Sequence, residues 1–359
     1  MRKTFFLVLL LAFGASSLRA DEETRNRLIR FFGGWYSWFP NTAIVVKETR
    51  EVDVPGYEAY RVQRRTESKA HQESNVALVD RGRDDVFIGQ ALHDDVRRFA
   101  KRPFDPDVDL PTIEASLTQA YGMPVKVRLD DRTRGALKPI VLSIRHVESA
   151  VVAIPGFVSE DGATLLVGEF HPLSSEAQAV RKKLIAERPG IRLGSGKFSV
   201  NEFIDFQCER CRVRAPEVKA AAVEAGGAVE VRLFPLTRVH DWAFAAAEQA
   251  AALGNVDPTL YAKFEETLFA RASTMTAEAA RSLASDVAEA AGVKAAYQKE
   301  LSSGRARERV VDDLRLGIRL GVSGTPAFFH DGNFVSAEKE LFETYLRGKV
   351  PPAARPAGQ

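Results

Sequence analysis

The chain of 359 residues contains two cysteines, and they stand three apart as Cys208-Glu209-Arg210-Cys211. Thiols at this spacing close a small disulfide ring and open it again. A ring so short constrains little of the unfolded chain, so it adds little stability through chain entropy. Disulfide exchange is therefore a better use of the pair than bracing. The other use of a CxxC is half of a zinc site. The chain has no second CxxC, and its six histidines, at 71, 93, 146, 171, 240 and 330, are scattered rather than paired at ligand spacing. Neither a metal nor a cofactor is implied.

The neighbouring elements must place these thiols. The apolar run Phe203-Ile204-Asp205-Phe206 precedes them and a helical pattern follows. A first cysteine between a strand and a helix lands at the helix N-terminus, where free N–H groups and the helix dipole favour negative charge. Cys208 is then the exposed nucleophile, with its pKa lowered from ~8.5 to about 4–7. Cys211, one turn in, is the buried thiol that resolves a mixed disulfide. The intervening pair tunes the site: Arg210 favours the thiolate, Glu209 opposes it, and the two roughly offset.

Around this motif the second region reads β, α, β, a long helical block, a β-hairpin and a last helix. The opening strand is Phe198 to Phe206. Pro216 kinks the following helix without ending it, because Glu217 to Ala225 continues the helical composition. Val229 to Phe234 is the second strand. Residues 241 to 321, rich in Ala, Glu and Leu, form the helical block. Ala327 to His330 and Phe334 to Ser336 flank Asp331-Gly332-Asn333, a hairpin turn signal. Ala337 to Arg347 is the closing helix. Glu202, six residues before Cys208, is either a solvated strand residue or a buried carboxyl with a raised pKa. Its flanks, Val200 and Phe203, leave its facing open.

The first region, 21–190, reads as an α+β unit with an internal repeat, 21–105 and 106–190. Each half gives an amphipathic helix, at about 22–32 and 111–121, and then four strands rich in β-branched residues. A helix covering one face of a curled antiparallel sheet closes each module. The two halves end on Val86 to Gly89 and on Leu165 to Gly168. The aromatic segment Phe31 to Phe39 is either a helix end packed into the core or a partner-binding surface. Arg188 to Gly196, rich in turn formers, reads as the join to a second domain at 197–350. Gly194-Ser195-Gly196-Lys197 is not a phosphate loop, since Ile191 stands where that motif needs glycine and Phe198 where it needs Ser or Thr. The tail 351–359, with three prolines, is expected to be disordered.

Composition narrows the classes further. At 45% hydrophobic and 27% charged residues, the chain is ordinary globular protein, long enough for two or three cores. Arg2 and Lys3, the apolar run Phe5 to Phe13 and small residues up to Ala20 have the layout of a secretory signal, 1–20, cleaved after Ala20. Removing Arg2, Lys3 and Arg19 takes the formal charge from +2 to −1, so nothing points to a nucleic-acid partner. Export places the protein where disulfides persist, in the periplasm or outside the cell.

Glu202 to Cys211, then Phe234-Pro235-Leu236, then Gly321-Val322-Ser323-Gly324-Thr325-Pro326-Ala327-Phe328-Phe329 resemble the thioredoxin-fold proteins of the DsbA type. The resemblance covers about residues 197 to 348. It implies an α/β thioredoxin-like fold in which 241–321 is a helical insertion. It also implies a cis Thr325–Pro326 bond facing the CxxC, and a substrate chain aligned beside Pro326. By the same resemblance Glu202 is the buried carboxylate that relays a proton for the resolving thiol. Thr325 is closer to the isomerase-like members than to the strong oxidants. Most relatives have Pro after the first cysteine; Glu209-Arg210 departs from that and leaves the direction of exchange open. The first region weakly resembles the dimerising, cystatin-like module of periplasmic disulfide isomerases, here in tandem, which implies a homodimer formed through it.

These readings converge on an exported thiol–disulfide oxidoreductase or isomerase. Its partners would be exported proteins carrying thiols or disulfides and a redox partner protein. The alternative is a binding or chaperone-like protein that uses the thioredoxin domain as scaffold; a third reading is an enzyme of small thiols or peroxides.

Overall fold

A computed structural model describes residues 22–35, 43–65, 73–92, 102–131, 134–147 and 149–348. The expected signal segment, the tail, and Tyr36 to Phe39 of the aromatic segment lie outside the described residues.

The first region is built twice from the same parts. Helix α1 (residues 22–35) precedes β1 (Ala43–Glu48), β2 (Tyr57–Arg65), β3 (Glu73–Asp80) and β4 (Asp85–Leu92). Helix α2 (Pro106–Tyr121) precedes β5 (Val125–Leu129), β6 (Leu137–Val147), β7 (Ala150–Ser159) and β8 (Leu165–Pro172). Asp105 caps α2 by accepting from the Asp107 N–H, with Pro106 in the first turn. Leu28, Phe31, Phe32 and Trp35 of α1 are buried against Ile44, Val46, Tyr60, Val62 and Val79. Those aromatics are thus core. Ile113 and Leu117 of α2 are buried in the same cluster as Val125, Val127, Ile140 and Leu142.

The halves are not separate sheets. They join into one antiparallel sheet of eight strands, ordered β1-β2-β3-β4-β8-β7-β6-β5. At its centre β4 pairs with β8, and Gly89 lies opposite Gly168. This crossing requires glycine on both sides. A Cβ on Gly89 would sit 2.1 Å from the Val167 carbonyl oxygen, and one on Gly168 would sit 2.1 Å from that of Ile88. The closing glycines of the two halves thus mark a pseudo-twofold axis.

The second sheet is ordered β13-β12-β10-β11-β9. Its strands are β9 (Ile191–Leu193), β10 (Ser199–Ile204), β11 (Ala228–Leu233), β12 (Ala327–His330) and β13 (Asn333–Val335). The central pair β10 and β11 is parallel and the other pairings are antiparallel. Helix α4 (Glu209–Glu224) connects β10 to β11 and contains Pro216. Between β11 and β12 come α5 (Ala243–Val256), α6 (Pro258–Ala270), α7 (Ala277–Ala290), α8 (Lys294–Ser302) and α9 (Arg305–Leu320). Helix α10 (Lys339–Leu346) ends the unit.

One boundary and one element differ from the sequence expectation. The segment taken as the join, 188–196, contributes β9, which pairs with β11 through Ile191↔Val231 and Leu193↔Val229. The second unit therefore begins at residue 191 rather than 197. Helix α3 (Ala177–Ala186), for which no element was expected, lies against the turn between β12 and β13. There Gln178 Nε2 donates to the Asp331 carbonyl oxygen at 2.8 Å and Lys182 pairs with Asp331 at 2.5 Å.

The two regions also meet through side chains. Arg319 at the end of α9 pairs with Glu169 of β8 at 2.8 Å and with Glu187 at 2.7 Å. The Arg181 guanidinium lies 4.2 Å from the Trp35 ring centroid and 5.4 Å from that of Phe329. Between the regions is a cavity of about 810 Å3. Trp35, His146 and Gly168 line it on one side, and Leu236, Ser323 and Gly324 on the other.

Candidate active site

Strand β10 ends at Ile204, and the chain turns into α4 with Cys208 as the N-cap. The turn is held by Asp205, whose carboxylate is buried. Its Oδ1 accepts from the Gln207 N–H at 2.7 Å, and its Oδ2 accepts from the Leu236 N–H at 2.7 Å. His240 Nδ1 lies 2.8 Å from the same Oδ2. Gln207 in turn donates to Asp241 at 2.9 Å and accepts from the Trp242 N–H at 3.0 Å. The loop carrying the nucleophile is thus bonded to the loop after β11.

Both thiols are free. Cys208 is partly exposed and Cys211 is wholly buried in the core. The Cys208 thiol lies 3.4 Å from the Thr325 carbonyl oxygen. The Thr325–Pro326 bond is cis, as the resemblance implied, and that 3.4 Å contact sets the loop before β12 beside the thiol. The Cys208 pKa is lowered to about 5. The largest cause is the Cys211 S–H donating to the thiolate; burial opposes it, and Thr325 and the N–H groups of Cys211 and Arg210 add to it. Burial, and then its role as donor to Cys208, push the Cys211 thiol far up. One sulfur is therefore ready to attack while the other keeps its proton.

The Glu209 and Arg210 side chains face solvent. Glu209 pairs with Arg212 at 3.4 Å. Arg210 acts on Cys208 through its backbone N–H.

Glu202, whose facing the sequence left open, is 0% exposed. Burial pushes its carboxyl up to about 7, against the pull of Lys219 and with help from Glu265. Lys219 Nζ lies 3.2 Å from Glu202 Oε2, but outside hydrogen-bond alignment. Sequence reasoning missed Lys219, Asp205, Tyr261 and Glu265. Two had local signals. Lys219 sits among the buried Ala215, Val218 and Ala222 of α4, and Asp205 interrupts an apolar run. Among the described residues, no group of three or more His, Cys, Asp or Glu is placed to hold a metal, and no helix is long and apolar enough to cross a membrane.

The family model of the DSBA-like thioredoxin domain matches residues 199–346, which carry this site. Several solved structures are similar to this chain. The catalytic domain of Proteus mirabilis ScsC is 15% identical with a TM-score of 0.41, over 48% of this chain and 97% of its own. The thiol-disulfide exchange protein alpha-DsbA2 from Wolbachia pipientis is 19% identical with a TM-score of 0.39, over 49% of this chain and 98% of its own. A periplasmic thioredoxin-like protein from Salmonella enterica serovar Typhimurium is 16% identical with a TM-score of 0.38, over 48% and 96%. No curated protein matches the chain.

Proposed function

We propose that the protein is an exported thiol–disulfide oxidoreductase or isomerase acting on protein substrates through a mixed disulfide. The observation that carries this reading is the asymmetry of the two thiols: a half-exposed Cys208 with a pKa of about 5 above a fully buried Cys211 that keeps its proton. At pH 7 such a Cys208 is almost entirely thiolate, the form that attacks.

In the reducing direction Cys208 S⁻ attacks one sulfur of a substrate disulfide. The substrate S–S bond breaks, one substrate sulfur joins Cys208, and the other leaves and takes a proton from water. Cys211 then gives up its proton, with Glu202 as acceptor, and attacks Cys208. The mixed disulfide breaks, the second substrate thiolate leaves, and the protein is left with a Cys208–Cys211 disulfide. Run backwards, the same steps oxidise a substrate dithiol and reduce the protein. Pro326, beside the nucleophile, aligns the substrate chain.

The test is reduction of insulin by dithiothreitol and reactivation of scrambled ribonuclease. The wild type should accelerate one or both and Cys208→Ala neither. Wild-type rates no higher than those of Cys208→Ala would sink the proposal. The potential of the pair then gives the direction: about −120 mV marks an oxidase and about −270 mV a reductase.

The cavity between the two regions favours a second reading, a binding or chaperone-like protein. Its volume is in the range of ligand sites, and its wall includes Ser323 and Gly324 beside Thr325. On this reading Cys208→Ala suppresses aggregation of an unfolded protein as well as the wild type does.

A further inference from the structure

Beneath the thiols lies a cluster of buried titratable groups from three elements. Glu202 comes from β10, Lys219 from α4, and Tyr261 and Glu265 from α6 of the helical insertion. Lys219 Nζ lies 2.5 Å from both oxygens of Glu265 and 3.2 Å from Glu202 Oε2. The Tyr261 hydroxyl, one helical turn before Glu265, donates to Glu265 Oε1 at 2.9 Å. Neither oxygen of Glu202 has a hydrogen-bond partner. Strands β11 and β12 present uncharged Val231 and Phe328 opposite Glu202. The groups of charge that act on Glu202 are Lys219 from α4 and Glu265 from α6, and Tyr261 of α6, bound to Glu265, feels both Glu202 and Cys211.

Two carboxylates compete here for one ammonium, and the geometry divides it unequally. Glu265 holds Lys219 with both oxygens and has the tyrosine hydroxyl as well. A second full negative charge in the interior, without hydrogen bonds, is strongly disfavoured, and a proton on Glu202 removes it. The insertion is fixed relative to the site by Phe206, two residues before Cys208. Its ring centroid lies 6.1 Å from that of Tyr261, and 5.9 Å from those of Phe264 and Phe269.

We propose that Glu265, carried by the helical insertion, is a positioning residue for thiol exchange: it holds the Lys219 ammonium so that Glu202 is left to carry the proton that Cys211 gives up and takes back. This rests on the thiol–disulfide reading above. Proton transfer works best when the acceptor's pKa is close to the working pH. A Glu202 fully neutralised by Lys219 would stay ionised well into acid and accept the Cys211 proton poorly.

The test is Glu265→Gln, which keeps the side chain's shape and removes its charge. Glutamate carboxyl carbons are followed by 13C NMR against pH, with Glu202 assigned through Glu202→Gln. In the wild type Glu202 titrates near 7. In Glu265→Gln the ammonium turns to Glu202, and the midpoint falls by about 1–3 pH units, the usual effect of an opposite charge within hydrogen-bond reach. The pH profile of mixed-disulfide resolution by Cys211 shifts with it. An unmoved Glu202 midpoint overturns the proposal, whatever the activity. If Glu265→Gln does not fold, Lys219→Gln replaces it. With the ammonium gone, the Glu202 midpoint must rise above its wild-type value, and an unmoved Glu202 midpoint overturns the proposal. A wild type inactive on insulin and ribonuclease, with the Glu202 shift present, refutes the reaction while supporting this arrangement of charge.

Discussion

Replacing Cys211 by alanine separates the two sources of the reactive Cys208 thiolate. The substitution deletes the S–H donor, the largest cause of the lowered pKa, and leaves the N–H groups of residues 210 and 211 in place. A hydrogen bond to a charged group is worth about 1.5–3 kcal/mol. At ~1.36 kcal/mol per pH unit that is about 1–2 units. Cys208 is half-buried and water screens part of the interaction, so the lower half of that range applies. The thiolate absorbance at 240 nm should therefore have its midpoint at about 5 in the wild type and about 6–6.5 in Cys211→Ala. A midpoint that stays at 5 would refute the role given to the Cys211 thiol. One that rises to the ordinary 9.0 would refute the role given to the helix N–H groups. Stability follows with a fixed sign. A lowered pKa stabilises the reduced fold above the unfolded value, and that stabilisation is lost as pH falls through the folded value. Reduced wild type thus gains stability as pH rises from about 5 towards 9, with roughly 1–2 kcal/mol present at pH 7 after allowance for screening. In the variant the gain starts about one unit higher.

Three further outcomes follow from other parts of the fold. Glu202 has the opposite sign: its folded pKa of about 7 lies above the ordinary 4.5, so the wild type loses stability as pH rises from about 4.5 through 7. Glu202→Gln removes that loss, so urea midpoints should coincide at pH 4 while the variant leads by roughly 3 kcal/mol at pH 8; an equal gap at both pH values contradicts the assignment. Gly89→Ala drives a Cβ to 2.1 Å from the Val167 carbonyl oxygen, where backbone on both strands must yield. The expected loss is about 3 kcal/mol or more, read as a fall of several degrees in Tm, and an unchanged Tm would refute the close crossing. Light scattering should give the mass of one chain, since β4 and β8 use each other as partners and leave no central edge for a homodimer. The outer edges carry exposed Lys47 on β1 and Lys126 and Arg128 on β5, which discourage strand addition. A mass of two chains would contradict this.

What the sequence disclosed depended on how local each signal was. The CxxC and Thr325-Pro326 were legible because their chemistry demands particular residue types. The strands of the first region were legible because β-branched residues alternate along them. Strand β9 was not, because three residues between Gly190 and Gly194 carry no period. The facing of Glu202 was ambiguous for a physical reason. Residues Val200 to Ile204 of β10 are all buried, so a period of two has no polar face to contrast with. The division of Lys219 between two carboxylates was invisible, since Glu265 lies 46 positions further along and only packing brings it there. The β4–β8 pairing is equally non-local, although the glycines that permit it end both halves of the repeat.

The two-module sheet and the single reactive thiol belong to one design problem. Here the glycine crossing lets β4 and β8 approach closely at the centre of the eight-stranded sheet, and Gly89 and Gly168 line the cavity that Ser323 and Gly324 face. Arg319 ties β8 to the end of α9, four residues before that loop begins at Ser323. On the other side α6 packs on Phe206 and supplies Glu265 to the Lys219 ammonium beside Glu202. The loop that leads to Thr325 thus faces the first region across the cavity, and Phe206, two residues before the nucleophile, packs on the insertion. Substrate choice should then follow the cavity wall and proton exchange the buried cluster, so substitutions in one should leave the other's readout unmoved.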